Sequence, residues 1–423
     1  MLRFAASPTG DMHIGDLRVA LFNYIVSKQK SEDFIVRIED TDKENNIEGK
    51  DQEIVDLLGL FGIEYSQVIY QSESVRFHSA MALQLVHEKR AFSCFCSSNW
   101  IDKKKEEAKK NKKAYSYDDA CRNLPNELVI DNMSPFTIRL SRPEKDIALS
   151  DLIKGDISFD VDAVDSFVIM NQNKTPKYNF ACAVDDMLND ISLVIRNEEH
   201  LNNTPKQAHI RASLGYEKEI QYAHIPTLLN DGTSNVKWLL EEGFLPSAIS
   251  NYLISIGNTT PQEIFNIEDA IEWFSLDNLS KSPARFSLDT LRDINKAHLN
   301  NMEATELSRY VGFADANIGE LAKVYLEEAS TTKELKSKIE SIFSVKEIPK
   351  EFEEAAELIT KTIKGAPHFK EYDEFQSYIM KKSGLKDENF SQALRCLLTG
   401  AQDGPDIAEI YKYIKNYIGE IVK

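Results

Sequence analysis

Between Arg3 and Asp42 the chain holds a strand-like run, a Ser-Pro-Thr-Gly turn, a helical pattern and a second apolar run, and few architectures accept that order. Arg3 to Ser7 reads as a buried strand. Leu17, Leu21, Tyr24 and Ile25 follow at spacings of three and four, the period of a helix. Phe34 to Ile38 is strand-like again and ends in "EDTD", Glu39 to Asp42. Strands joined by a helical crossover run parallel, and an open parallel sheet binds ligands at the carboxyl ends of its strands. The turn and Glu39 both fall at such ends.

The turn supplies hydroxyls from Ser7 and Thr9, an imidazole at His13, and side-chain-free backbone at Gly10 and Gly15. A helix beginning near Gly15 adds free N–H groups and a positive dipole end, so a phosphate fits there. Taken alone, Pro and Gly at a strand-to-helix turn are equally ordinary turn chemistry. The 423 residues suffice for two or three domains with full cores. Apolar runs are far shorter than a membrane span and no leader pattern opens the chain, so a soluble, non-secreted protein without a membrane partner is expected. Five cysteines, an odd number, point to reduced thiols in a cytoplasm or to a metal site. A net charge of −18 argues against a simple nucleic-acid binder. Screening over about 8 Å nevertheless lets a local patch such as "KKKEEAKKNKK", Lys103 to Lys113, act under an acidic total. The commoner reading of such a run is a solvated face.

Further along, "FTIRLS" and "DISFDVD" alternate like half-buried antiparallel strands, and residues 77–176 read as an insertion between two halves of the sheet. Apolar strands return at Phe167 to Met170 and at Ile191 to Arg196. Beyond Gly243 the pattern is mainly helical. Thr331 and Glu334 form a capping box, and Gly404-Pro405 opens a last helix carrying Ile407, Ile410, Ile414, Tyr417 and Ile421. A separate all-α domain is expected there.

Eight segments in order carry a resemblance: "ASPTGDMHIG", "IVRIEDTDKEN", "YQSESVRFH", "KYNFACAVDDML", "IRNEEHLNNTPKQ", "HIPTLLNDG", "SKSPARFSLDTL" and "LRCLLTGAQDGP". Together they resemble the bacterial glutamyl-tRNA synthetases, of the class I aminoacyl-tRNA synthetases. A glutaminyl enzyme would carry Pro-Glu-Pro-Asn-Gly at the turn and C-terminal β-barrels. The short glutamyl-queuosine relatives lack an anticodon domain, for which this chain has room. The resemblance implies a Rossmann-type parallel-sheet α/β catalytic domain at 1–76 and 177–236, an α+β acceptor-end-binding insertion at 77–176, a helical stem-contact region at 237–300, and an all-α anticodon-binding domain at 301–423. It implies a cytoplasmic monomer that joins L-glutamate to the terminal adenosine of tRNA-Glu through glutamyl-adenylate, with ATP carried as its Mg complex. Two alternatives stay open: charging of tRNA-Gln for later amidation, and a synthetase-like protein without catalysis.

By that resemblance His13 is the catalytic histidine, donating to phosphate oxygens, and Ser7, Thr9, Gly10, His13, Gly15 and Glu199 hold ATP. Arg3, Ala5, Ser7, Glu39, Tyr178, Cys182 and Arg196 form the glutamate pocket, the two arginines suiting a dicarboxylic acid. Asp16 replaces the second histidine of the His-Ile-Gly-His signature and is expected to be a cap or first-turn acid facing away from the nucleotide. Cys94, Cys96 and Cys121, with 24 residues between the last two, resemble a zinc site of some members. Asn123 stands where a histidine ligand would be, so Tyr117 is the expected fourth ligand of a structural zinc. Some lysines of the 103–113 run are expected to meet tRNA phosphates. One departure is large. The family's lysine-rich loop is replaced by Asp231 to Ser234, about ten residues short of the pattern. Either the chain as read omits a mobile loop, the preferred explanation, or the protein lacks it and forms adenylate poorly.

Overall fold

The computed structural model describes residues 1–229, 235–386 and 388–422, so the shortened loop at Asp231 to Ser234 lies outside the described residues. Two compact units divide the chain: residues 1–236 with 253–261 and 266–286, and residues 237–252 with 262–265 and 287–423.

In the first unit, β1 (Leu2–Ala6), β2 (Phe34–Ile38) and β3 (Gln67–Tyr70) form a parallel sheet in that order, with Arg3 opposite Ile35. The expected crossover helix is α1 (Ile14–Lys30). Leu17, Leu21, Tyr24 and Ile25 are buried as the period requires, but so are Val19, Ala20, Phe22 and Asn23, because α1 is enclosed on nearly all sides. An antiparallel sheet of β4 (Ala91–Cys94), β5 (Thr137–Leu140) and β8 (Val168–Met170) follows. A third sheet has the order β7 (Gly155–Phe159), β6 (Ile147–Asp151), β10 (Gln221–Ile225), β9 (Leu193–Asn197). The β6–β7 hairpin thus emerges from segment 77–176 and joins the sheet of β9: Asp151 is opposite Tyr222, and Leu152 N–H donates to Tyr222 O at 2.8 Å.

Ser192 N–H donates to Met1 O at 3.0 Å, bringing β1 and β9 together at their starts with no ladder beyond. Asn23 Nδ2 of α1 donates to Ile195 O at 3.1 Å, so α1 is tied to β9 as well as connected to β1. The gap between these strands is the switch point of an open α/β sheet, where the carboxyl ends leave a crevice. Helices α3 (Tyr178–Leu188) and α4 (Thr204–Ser213) complete the surroundings, while α2 (Ser98–Lys110), which bears most of the lysine run, buries no residue.

Among the described residues no strand follows Arg285, and the second unit is helical. Its core gathers Leu307, Ile318, Leu321, Ile339, Ile359, Leu394 and Ile410. The capping box is present: Glu334 N–H donates to Thr331 Oγ1 at 3.3 Å and Thr331 N–H to Glu334 at 3.2 Å. The expected last helix runs Ile407–Ile414, capped by Asp406, whose carboxylate accepts from Ala408 N–H at 3.1 Å; a tighter turn at Lys415–Tyr417 separates it from a short helix at Ile418–Ile421.

Gly319 lies where Ala316–Val324 crosses Ala304–Tyr310, and a Cβ there would stand 1.8 Å from Ala304 O. Gly59, in the helix Lys50–Leu60, has nothing within 4 Å of the same position. Gly319→Ala is expected to destabilise the helical unit by about 3 kcal/mol. Gly59→Ala should stabilise by about 0.5 kcal/mol. Urea unfolding followed by circular dichroism reads both.

Candidate active site

A crevice of about 290 Å³ opens at the carboxyl ends of β1, β2 and β9. Arg3, Ala5, Ser7, Thr9 and Gly10 line it from β1 and its turn. Arg37 and Glu39 come from the end of β2, Tyr178 and Cys182 from α3, and Arg196 and Asn197 from β9. All the residues expected around glutamate are therefore together. A larger cavity of about 800 Å³ shares Ser7, Thr9, Glu39 and Tyr178 with it and extends to Thr41 and Gln71.

The electrostatics rest on residues that the sequence reading missed. Asp186 of α3 and Arg37 of β2 are both fully buried. Asp186 Oδ1 accepts from Arg37 Nη1 at 2.6 Å and from Arg3 Nε at 3.1 Å. Burial pushes the Asp186 carboxyl up, but Arg3 and Arg37 outweigh it and hold the group well below the usual carboxylate range. Glu39 Oε1 takes Arg37 Nη2 at 3.4 Å and the Cys182 thiol at 3.1 Å. Burial, and then the Glu39 charge, push that thiol far up, so Cys182 is a neutral donor. Arg3 spends only Nε on Asp186; its terminal nitrogens have no protein partner among the described residues. Arg196 is 6% exposed, and among the described residues its hydrogen bonds go to His224, Gln207 and Thr204. Of the crevice's three arginines, Arg3 and Arg37 share Asp186, and Arg196 alone has no carboxylate hydrogen-bond partner among the described residues.

His13 caps α1, its Nδ1 accepting from Gly15 N–H at 2.9 Å. A neutral ring in that bond carries its proton on Nε2. A Cβ at Gly15 would stand 3.1 Å from the same Nδ1, so the glycine makes room for the imidazole. His13 and Gly15 are not themselves in the crevice lining, though their chain neighbours Met12 and Asp16 are; Glu199 is outside it, its side chain 68% exposed. Asp16 corrects the expectation made for it. It is a first-turn acid, yet it lines the crevice, and its Oδ1 accepts from Asn197 Nδ2 at 3.4 Å. The capping position was already filled by His13. Burial raises the Asp16 carboxyl above its ordinary value.

Away from the crevice, Cys94, Cys96 and Cys121 place their sulfurs within 4.8 Å of one another. The Tyr117 hydroxyl is 3.4 Å from both Cys94 Sγ and Cys96 Sγ, and Cys96 Sγ is 3.6 Å from Cys121 Sγ. Ligands of a tetrahedral zinc with bonds of about 2.0 to 2.3 Å lie about 3.5 to 3.8 Å apart, so this set fits the ion. Arg139 Nε donates to Cys94 Sγ at 3.3 Å. Burial pushes the Cys94 thiol up, but Tyr117 and Arg139 bring it down to about 7, toward the thiolate a metal requires.

Residues 1–293 match the family described as tRNA synthetases class I (E and Q), catalytic domain. The chain is 65% identical to glutamate–tRNA ligase 2 of Sulfurimonas denitrificans, 51% to glutamate–tRNA ligase 1 of a Nitratiruptor species and 50% to glutamate–tRNA ligase 1 of Campylobacter jejuni. Each comparison covers 100% of both chains over 432 positions, nine more than the 423 of this chain. The fold matches the crystal structure of a glutamate tRNA ligase from Elizabethkingia meningosepticum in complex with its amino acid, with a TM-score of 0.83 and 24% identity over 99% of this chain and 97% of that one. A glutamate-tRNA synthetase from Elizabethkingia anophelis gives 0.81 at 24% identity, over 99% and 98%.

Asp186→Asn leaves Arg37 buried without its counter-charge and is expected to cost about 3 kcal/mol at neutral pH. The native carboxyl is depressed, so its contribution is present above the unfolded value near about 4 and is lost as pH falls through the folded value. Urea unfolding at several pH values should show the gap between wild type and variant close on acidification.

Proposed function

The chain belongs to the class I tRNA synthetases of the E and Q branch, and from that premise we infer that it is a glutamate–tRNA ligase. One observation carries the choice of amino acid: Arg196, a buried arginine of the crevice, has no acidic hydrogen-bond partner among the described residues. A second carboxylate on the ligand supplies what the pocket lacks. Glutamine would leave a buried guanidinium uncompensated.

In this reading Arg3 and Arg196 hold carboxylate oxygens of glutamate, with Ala5, Ser7, Tyr178 and Cys182 alongside. Glu39 meets the substrate ammonium. One α-carboxylate oxygen attacks the α-phosphorus of ATP, the bond to the bridging oxygen breaks and pyrophosphate leaves. A ribose hydroxyl of the terminal adenosine then attacks the acyl carbon and AMP departs. The protein's contribution is alignment and stabilisation of charge on phosphorus oxygens. His13 Nε2–H and the leading amides of α1 are the donors for that charge, and Ser7, Thr9, Gly10, Gly15 and Glu199 belong to the ATP site. Mg arrives with ATP as part of the substrate.

The remaining assignments are of the same kind. Segment 77–176 binds the acceptor end, where α2 offers Lys109 and Lys110 to phosphates; 237–300 contacts the stem; 301–423 reads the anticodon of tRNA-Glu. The enzyme works as a cytoplasmic monomer, where its cysteines stay reduced. A zinc ion held by Cys94, Cys96, Cys121 and Tyr117 would close the loop 94–121 as a structural site; no chemistry of the reaction passes through it.

ATP–pyrophosphate exchange tests the activity directly. It should depend on glutamate and on tRNA and ignore glutamine; no glutamate-dependent exchange with tRNA present defeats the reading. Aminoacylation of tRNA-Glu against tRNA-Gln then measures which is charged, and tRNA-Glu is expected. For the metal, purified protein should hold about one zinc per chain, and Tyr117→Phe should retain zinc at least about tenfold less tightly against a chelator. Metal-free wild type would dismiss that site.

A further inference from the structure

Among the described residues, every hydrogen bond of the buried Arg196 guanidinium goes to a neutral partner. Its Nε donates to His224 Nε2 at 3.1 Å, its Nη1 to Gln207 Oε1 at 2.9 Å and its Nη2 to Thr204 Oγ1 at 2.5 Å. The Tyr222 ring centre lies 5.7 Å from the guanidinium carbon, a further neutral contact. His224, Gln207 and Thr204 are each at most 1% exposed, so water does not substitute for them.

The orientation of each acceptor is itself fixed. His224 Nδ1 meets Asp151 Oδ2 at 2.6 Å, which places the ring proton on Nδ1 and leaves Nε2 to accept. The Asp151 carboxylate therefore reaches Arg196 only through an imidazole. The Thr204 hydroxyl accepts from Arg196 and donates to His224 Nε2 at 2.9 Å. Gln207 Nε2 donates to Asn179 Oδ1 at 3.2 Å, so its oxygen is the atom that faces Arg196. Thr204 and Gln207 are three residues apart in the first turn of α4, a spacing that brings both to one guanidinium. The contrast lies across the crevice, where Arg3 and Arg37 share Asp186.

We infer that Gln207, together with Thr204 and His224, determines specificity as a positioning residue: neutral acceptors aim Arg196 and leave its charge uncancelled, so that a ligand carboxylate is the only counter-charge available. This deepens the glutamate reading above and rests on it. A carboxylate built into the cage would cancel the charge from within, and an amide ligand would then lose little against an acidic one.

Gln207→Glu is the decisive variant, since it keeps length and shape and changes only charge; Gln207→Met keeps neutrality and removes the acceptor. The measurements are kcat and KM for glutamate and for ATP in tRNA-dependent exchange, inhibition by glutamine, and the thermal midpoint. Gln207→Glu should raise the glutamate KM at least about tenfold and narrow the preference for glutamate over glutamine. Its ATP KM should stay within about twofold and its midpoint should not fall. Gln207→Met should raise the glutamate KM by about threefold, less than the glutamate substitution does, because aim is weakened but charge is kept. A role in packing alone predicts the opposite order, with the isosteric carboxylate harmless. Should Gln207→Glu not fold, Thr204→Asp presents a carboxylate to Nη2 and is read the same way. An active wild type with an unchanged glutamate KM in the carboxylate variant overturns this inference alone; a wild type that does not activate glutamate overturns it together with the function it rests on.

Discussion

The contact on which the crevice depends is Asp186 between Arg37 and Arg3. It fastens α3 to β1 and β2, and it does so with a fully buried Arg37–Asp186 pair. Such a pair repays its desolvation only when its geometry is good and its remaining groups find partners. Here that condition is met in part: Arg37 also donates to Glu39, which accepts the Cys182 thiol, while Arg37 Nε and Asp186 Oδ2 are buried without a hydrogen-bond partner. The scaffold for the amino-acid site is therefore a chain of charge-assisted bonds running from helix to strand to helix. It fixes the aim of Arg3 while leaving that residue's terminal nitrogens to the crevice.

The two arginines proposed to hold glutamate are held in place by opposite means. Arg3 leans on a shared carboxylate; Arg196 leans on an imidazole, an amide and a hydroxyl. The His13 ring follows a similar economy of protons. Its lone pair is used inside the protein, on Gly15 N–H, which leaves Nε2 as the proton-bearing nitrogen of a neutral ring. Preorganised donors of this kind need no rearrangement as charge develops, which is where catalysis of phosphoryl transfer gains most.

Much of this was legible in the residues. Period and turn chemistry located β1, α1 and β2, and the strand-end rule placed Ser7, Thr9 and Glu39 at the crevice. Arg3, Tyr178 and Arg196 came from the family resemblance, because alone each reads as an ordinary core residue. What escaped notice had weak but real signals: Arg37 interrupts the apolar strand "FIVRI", and Asp185-Asp186 interrupts the apolar face of "FACAVDDML". A charge in a buried element needs a partner, and asking for one would have joined the two. Asp16 was misread for a physical reason. A first-turn acid is usually a cap facing solvent, but with His13 as cap the first turn presents its next polar side chain to the crevice. The cage of Arg196 was not legible at all, since His224, Gln207 and Asp151 meet only through pairing of β6 with β10 and packing of α4.

That pairing bears on how the gene can be recombined. Asp151 belongs to the β6–β7 hairpin inside the stretch 77–176, yet its carboxylate sets the proton of His224 at the back of the amino-acid pocket. The stretch is thus no free-standing cassette. A chimera that imports it from a distant homologue also imports, or forfeits, the carboxylate behind His224 and Arg196, and crossover points drawn at the hairpin's base would cut through that link.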